Sequence, residues 1–300
     1  KKYLFESSED ATGKNEKNYV VYQEKIRTEF RKNRYEGFLK NFLTDKHYKD
    51  IIFYPSLVDW EIPLFQRPHQ IFRELSRRQY LVFFLTPNPS GDNASPIRQI
   101  NESLYLIRDI DILYDLRENP LILWISWTPN VVCKEFLQKS RLVYDYIDRL
   151  EVFAFHSKLM EADHERLIQT SDIVITSADN LYSEVKKMRH DVILMPNGVC
   201  TEDFKAEEDV VPKDLKPIID KGKPIVGYYG SLAKWLDYDL INFACEQCKD
   251  LNFVLIGPGL DDSINRLRGS DNLFLLGPKK YESLKYYLKH FDVATIPFKI

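Results

Sequence analysis

The chain has little of what marks several large functional classes. It carries only four cysteines (Cys133, Cys200, Cys245, Cys248), too few for a disulfide scaffold in 300 residues. No apolar run approaches the roughly 20 residues that cross a bilayer. The first stretch, KKYLFESSEDATGKNEKN, is polar and has no apolar core of the kind a secretory signal needs. A formal charge of −3 sets up no global field that would gather nucleic acid. Nothing resembles Ser/His/Asp spacing, a Walker loop or HExxH. No GxGxxG follows the first strand, which argues against a dinucleotide dehydrogenase. Cys245 and Cys248 do form a CxxC, but it lies inside a predicted helix with no second Cys or His pair nearby, so neither zinc nor redox chemistry is expected. A reducing cytoplasm fits this inventory best.

What is present is long enough, and apolar enough, for two domains or one large one. Residues 1–18 read as a disordered or fraying lead. From Tyr19 to Leu43, apolar residues recur at helical spacing (Tyr22, Ile26, Phe30, Phe38, Phe42) among many Lys and Arg. Such a basic helix either packs on its own domain with its charges in water, the reading favoured, or rests peripherally on an anionic membrane surface. Residues 1–49 are therefore set apart as a lead and basic helix.

Alternation of strand and helix signals begins at Asp50. Strands are expected at Ile51–Tyr54, Tyr80–Leu85, Leu104–Arg108, Leu121–Ser126, Leu142–Ile147, Ile173–Thr176 and Val192–Met195. Helices are expected at Pro68–Arg78, near Ile112–Arg117, and at Val131–Lys139, Leu159–Gln169 and Leu181–Met188. A turn is expected at Thr86-Pro87-Asn88-Pro89. This spacing means βαβ units and a mostly parallel sheet over residues 50–198. Pro196-Asn197-Gly198 breaks the pattern, and the charged, Pro-dotted stretch after it makes residues 199–223 a linker. The alternation restarts over residues 224–300: a strand from Pro224, helix Asp237–Cys248, strands Phe253–Ile256 and Leu273–Leu276, helix Tyr281–His290, strand Val293–Ile296. The fold class is α/β, two such units in tandem, the second incomplete.

In open parallel sheets, ligands bind beyond the carboxyl ends of the strands. The stretch PIVGYYGSL (Pro224–Leu232) places a Gly turn, Gly230-Ser231, between a buried strand and a helix, which would aim backbone N–H groups at a phosphate. Gly257-Pro258-Gly259 and Gly277-Pro278-Lys279 end the next two strands. Together they form a glycine-lined lip, with Lys234 and Lys279 offering charge. On the first unit, Trp60, Glu61, Gln66, Arg67 and His69 follow the first strand, and Asp145 and Asp148 lie in LVYDYIDRLEVF. Those two carboxylates could position a polar substrate or stabilise developing positive charge. They could equally cap the following helix and pair with Arg149. His69, on a helix with an apolar face, reads as a packed histidine rather than a base.

With these residues assembled, the chain from about Asp50 to Ile300 resembles a GT-B glycosyltransferase, of the group-1 or family-4-like type that builds bacterial surface polysaccharides. The resemblance rests on six pieces whose order and spacing are specific together: WEIPLFQRPHQIFRELSRRQYLVFF (Trp60–Phe84), LVYDYIDRLEVF, SDIVITSADNLYSEV, MPNGVCTEDF, PIVGYYGSLAKWLDYDLI and NLFLLGPKKYESLKYYLKHFDVATIPF. It implies two Rossmann-like doubly wound lobes. The first would hold a glycan or lipid-linked acceptor, with Trp60, Gln66 and Arg67 on that side. The second would hold a nucleotide-diphosphate sugar as co-substrate, with a cleft closing between them. PNGV would mark the approach to the hinge. Gly230 and Ser231 would face the donor diphosphate, while Gly257, Gly259, Pro278 and Lys279 would line the nucleoside side. Asp145 and Asp148 would face the sugar as the catalytic pair.

The likeness further implies transfer to an acceptor hydroxyl with retention of configuration, without a bound metal or other cofactor. Two departures stand against it. The family's Arg after the Gly turn and Lys four residues on read here as Ser231 and Trp235, leaving Lys234 as substitute. The glutamate-bearing segment that should follow PFKI is not in the sequence, so the chain is expected to be C-terminally truncated or part of a longer protein, and residues 1–300 not fully active. Two other functions stay open: a non-catalytic glycan- or nucleotide-binding module of a polysaccharide assembly protein, and a nucleotide-sugar epimerase.

Overall fold

The computed structural model of the chain describes residues 12–28, 35–43, 47–56, 58–62, 65–86, 96–153, 156–206, 208 and 210–299. The expected lead up to residue 11, Phe30 of the basic helix and the turn residues 87–89 lie outside them. The chain divides into two compact units, Lys1–Glu61 with Arg67–Gly198, and Ile62–Gln66 with Val199–Ile300.

Among the described residues, the first unit is built on an eight-stranded sheet. Its strands are β1 (Asp50–Pro55), β2 (Tyr80–Leu85), β3 (Ile97–Asn101), β4 (Leu104–Ile107), β5 (Ile122–Ile125), β6 (Arg141–Tyr146), β7 (Ile173–Thr176) and β8 (Val192–Leu194), in the order β3-β4-β2-β1-β5-β6-β7-β8. All neighbours are parallel except β3 and β4. The edge strand β3 was not expected: IRQIN is half-exposed and lacks the apolar alternation that announces a strand. The sheet is covered on both faces, which is why its central strands are apolar at successive positions. Phe53, Phe83, Leu123 and Tyr144 belong to one core cluster, and Ile52, Tyr54, Val82 and Phe84 to another, so neighbouring residues of β1 and β2 point to opposite faces.

The helices of this unit are α1 (Thr12–Thr28), α2 (Glu36–Leu43), α3 (Arg67–Arg77), α4 (Ile112–Leu116), α5 (Cys133–Phe136), α6 (Lys158–Thr170) and α7 (Asp179–Val185). In α3 the buried residues Pro68, His69, Phe72 and Ser76 recur at helical spacing, and Phe72 packs on Tyr54 with ring centroids 4.3 Å apart. Pro68 sits in the first turn, where its missing N–H leaves no helical bond unmade. Helix α5 is shorter than the expected Val131–Lys139: a 3₁₀ turn, Thr128–Val132, takes the first part and the helix ends at Phe136.

The amino-terminal region also departs from expectation. Helix begins at Thr12, within the stretch read as a lead, and α1 and α2 are separate elements. Tertiary contacts outweigh the polar composition here. Tyr19 and Ile26 are buried in the first unit's core, and Tyr19 Oη donates to Asp163 at 2.5 Å. Tyr22 Oη donates to Asn130 Oδ1 at 2.8 Å, and Arg27 makes a two-pronged pair with Glu135. Phe38 and Phe42 of α2 pack against the same core. The basic helices thus lie on their own unit. No helix of the described residues is long and apolar enough to cross a membrane.

The second unit carries a four-stranded parallel sheet: β9 (Ile225–Tyr229), β10 (Asn252–Ile256), β11 (Leu273–Gly277) and β12 (Val293–Ala294), in the order β11-β10-β9-β12. Helices α8 (Lys216–Ile219) and α10 (Leu284–Leu288) cover one face with Leu215, Ile218, Leu284 and Tyr287. Helix α9 (Tyr238–Gln247) covers the other with Tyr238, Ile241 and Cys245. Helix α8 and a 3₁₀ turn at Thr201–Phe204 lie in the stretch read as a linker. Gly227, in mid-strand, faces the Phe291 ring, where an added Cβ would come within 2.1 Å of ring carbons.

Candidate functional site

Each sheet has a point where the chain, having laid strands outward to one side, returns to add one on the other. In the first sheet this point lies between β1 and β5, and in the second between β9 and β12. Crevices at such points, beyond the strand carboxyl ends, are where open α/β sheets bind ligands. Gly230-Ser231 directly follows β9, so the turn singled out in the sequence stands at the second sheet's reversal point.

At this edge the glycine turns are joined by main chain. Gly230 N–H donates to Ile256 O at 2.9 Å, and Gly257 N–H to Gly277 O at 3.0 Å. Beyond them Leu232 N–H donates to Pro258 O at 2.9 Å and Leu260 N–H to Leu232 O at 3.0 Å. Gly257 has φ +151°, and a Cβ there would lie 1.7 Å from Gly230 O; only glycine lets the two backbones meet. The N–H groups of Gly230 and Gly257 therefore bond to neighbouring carbonyls.

The helix that follows is not an open anion seat either. It starts at Tyr238, and Asp237 caps it by accepting from Leu240 N–H at 2.9 Å, with Asp239 in the first turn. These acids compensate the helix's own positive end.

The two lysines differ. Lys234 is exposed, with its backbone N–H donating to Asp261 Oδ2 at 3.0 Å. Burial works against the Asp261 carboxylate, but hydrogen bonds from Ser263 and from the Lys234 backbone hold its pKa below the usual range. Lys279 is mostly covered; its Nζ donates to Leu276 O and pairs with Asp214 at 2.9 Å. Asp214 in turn accepts from Tyr287 Oη at 2.8 Å. Gly259 and Pro278 are exposed along the same edge.

On the first unit the central feature is a buried ion pair. Arg67, at the start of α3, gives Nε to Asp145 Oδ2 at 3.1 Å and Nη2 to Oδ1 at 2.9 Å. The two side chains are 8% and 3% exposed. Trp124 Nε1 donates to the same carboxylate at 3.4 Å. Burial pushes the Asp145 pKa up, while the Arg67 guanidinium pulls it back. Arg67 Nη1 reaches on to Met195 O at 2.8 Å and Asn197 Oδ1 at 3.2 Å. One guanidinium thus links the start of α3, the end of β6 and the Pro196-Asn197 turn that closes the unit.

The sequence reading offered pairing with Arg149 and capping of the next helix as an alternative for these acids. The partner of Asp145 is Arg67 instead, and the 3₁₀ turn Leu150–Val152 begins at Arg149 without a side-chain cap. Asp148 reaches solvent, although surrounding chain desolvates it enough to raise its pKa. Trp60 is packed in the core, 5.1 Å from both the His69 and the Phe84 ring centroids. Gln66 is exposed and clusters with the second unit. His69 is fully buried with Nε2 3.0 Å from Asp59 O, a packed histidine as expected.

Sequence reasoning did not foresee Asp214, Asp261 or Trp124, and it read Asn197 as a turn residue without its bond to Arg67. Only Asp261 left a local signal, in the Asp-Asp-Ser turn where it accepts from Ser263 N–H at 2.9 Å. Among the described residues no group of three or more His, Cys, Asp or Glu could hold a metal ion.

Known proteins place this architecture. The structure superposes on sucrose-phosphate synthase from Thermosynechococcus elongatus with a TM-score of 0.61 at 13% identity, covering 83% of this chain and 77% of that one. The catalytic domain of starch synthase IV from Arabidopsis thaliana, bound to ADP and acarbose, gives 0.56 at 11% identity, covering 83% and 78%. Anabaena HepE in complex with UDP and glucose gives 0.55 at 13%, covering 81% and 72%. The chain has the GT-B fold, as the sequence resemblance implied.

In sequence it is 27% identical over 152 residues to Bacillus subtilis TuaH, provisionally assigned as a teichuronic acid biosynthesis glycosyltransferase. That match takes in 48% of this chain and spans 38% of the relative's length. No protein-family model matches the chain.

Proposed function

We propose that this chain belongs to a glycosyltransferase that moves a sugar from a nucleotide-diphosphate donor to a glycan or lipid-linked acceptor hydroxyl. The observation that carries the reading is the interlocked glycine edge at the second sheet's reversal point, in a GT-B fold that proteins complexed with UDP and glucose, or with ADP, also have. A flat backbone edge lets a nucleotide approach closely without side chains in the way.

The reaction breaks a glycosidic bond through an oxocarbenium-like state while negative charge grows on the departing diphosphate. Lys234 is an exposed cation beside that edge and supplies countercharge. In a retaining route the departing phosphate takes the acceptor proton, so no strong protein base is needed. Asp145 then acts by holding Arg67 in place, and Asp148 is the acid exposed toward a polar substrate. The reading includes neither a metal nor another cofactor, and peripheral membrane contact belongs to the acceptor if that is lipid-linked.

A second reading, a non-catalytic nucleotide-binding module, is favoured by one observation: the Asp261 carboxylate accepts from the Lys234 backbone N–H just after the turn, a negative charge where a departing diphosphate needs a positive one. Calorimetry with UDP-, GDP- and ADP-sugars, paired with an assay for released nucleotide, separates the two. Saturable binding with acceptor-dependent release supports transfer, binding without release supports the module, and no binding by any donor refutes both.

A further inference from the structure

The chain passes between its two units at three junctions: Glu61 to Ile62, Gln66 to Arg67, and Gly198 to Val199. Two of them meet on one side chain. Arg67 is the first residue back in the first unit, and its Nη1 donates to Met195 O and Asn197 Oδ1, just before the last junction. These partners lie 128 and 130 positions further along the chain, so only the fold brings them to Arg67.

The grip is stiff. A guanidinium is planar, and its N–H groups form a fixed fork. With Nε and Nη2 both on the buried Asp145 carboxylate, the plane is set, and so is the direction of Nη1. Met195 is tied to the same sheet, its N–H donating to Thr176 O at 2.9 Å. Pro68 and Pro196, next to Arg67 and Met195, each lock one backbone torsion. On the far side of Gln66, Phe65 groups with the second unit, its ring centroid 4.7 Å from that of Tyr281. A single residue therefore separates chain held in one unit from chain held in the other.

Asn197 is exposed, so its bond to Arg67 is nearly matched by water and adds little to the first unit's own stability. What the bond fixes is where the chain leaves. Two exits held at a set spacing on one sheet leave a single easy motion, rotation about the line that joins them. With either exit released, twist and sliding become available as well.

We propose that Arg67 is a hinge pin, fastening two of the junctions to Asp145 so that the units move on one another along a single arc. The inference goes beyond the transfer reaction and does not rest on it.

The test is pulsed electron resonance on the whole chain, with nitroxides carried by p-acetylphenylalanine in place of Glu165 and Asp250, exposed positions of the first and second unit. Arg67→Lys keeps a cation against Asp145 but lacks the fork, and should broaden the distance distribution. Asn197→Ala, which leaves the ion pair whole, should broaden it less, with an unchanged thermal melt separating loss of the pin from loss of the fold. Asn197→Asp still offers an acceptor to Arg67 and should restore the starting width. Widths unchanged in both Arg67→Lys and Asn197→Ala, or Asn197→Asp as broad as Asn197→Ala, would overturn the proposal.

Discussion

Replacing Arg67 by Met tests the reading of the first unit most directly. The substitution keeps the apolar stem and removes the guanidinium, so Asp145, 3% exposed, loses its ion-pair partner and both hydrogen bonds from it. Stranding one member of a buried pair costs about 3–5 kcal/mol. For a unit of this size each kcal/mol lowers Tm by about 2–4 °C, so a drop of roughly 6–20 °C is expected.

The deficit should also depend on pH. Burial already raises the Asp145 pKa, and Arg67 opposes that rise. Without Arg67 the folded carboxyl holds its proton more tightly than the unfolded one, so stability falls as pH rises through the carboxylate range and recovers as pH is lowered. Arg67→Met/Asp145→Leu should regain much of the loss, because no charge is then left buried. Urea melts of the two single variants and the double variant at pH 5 and pH 7.5 make the measurement. A loss under about 1 kcal/mol for Arg67→Met, or a double variant as unstable as the sum of the singles, would refute the reasoning.

Other substitutions probe separate parts of the molecule. Gly257→Ala places a Cβ on Gly230 O and should cost about 1–3 kcal/mol while abolishing donor binding, checked by thermal melts and calorimetry with UDP-glucose. Lys279→Met should cost no more than about 1 kcal/mol near neutrality, since Asp214 is partly exposed. Burial notwithstanding, hydrogen bonds from Lys279 and Tyr287 hold the Asp214 pKa low. The pair's contribution is therefore present above the ordinary carboxylate range and lost as pH falls through it, which melts at stepped pH will show. His164, at about 4 when folded against an ordinary 6.5, binds its proton more readily unfolded, so it makes stability fall between those pH values on acidification. His164→Phe should flatten that part of the profile.

Much of the fold could be read from the sequence because the sheets are buried on both faces. Runs such as YLVFF and NFVLI leave little alternative to a covered parallel strand, and Gly or Pro punctuation sets their ends. Strand β3 escaped because an edge strand with one face in water needs no such run. The early start of α1 escaped because its support is tertiary: a tyrosine hydroxyl and an asparagine amide find partners more than a hundred residues away. The site was legible as turn positions but not as chemistry. Sequence placed Gly230, Gly257 and Gly277 on one edge, yet could not show that the first two donate to neighbouring carbonyls, that Lys279 belongs to Asp214, or that Asp145 belongs to Arg67. Each of those pairings joins residues far apart in the chain.

Because the three glycine turns hold one another through backbone atoms, no single loop there can shift alone. A displacement felt at the end of β9 must travel through β10 to β11, so the edge answers any load as one plate.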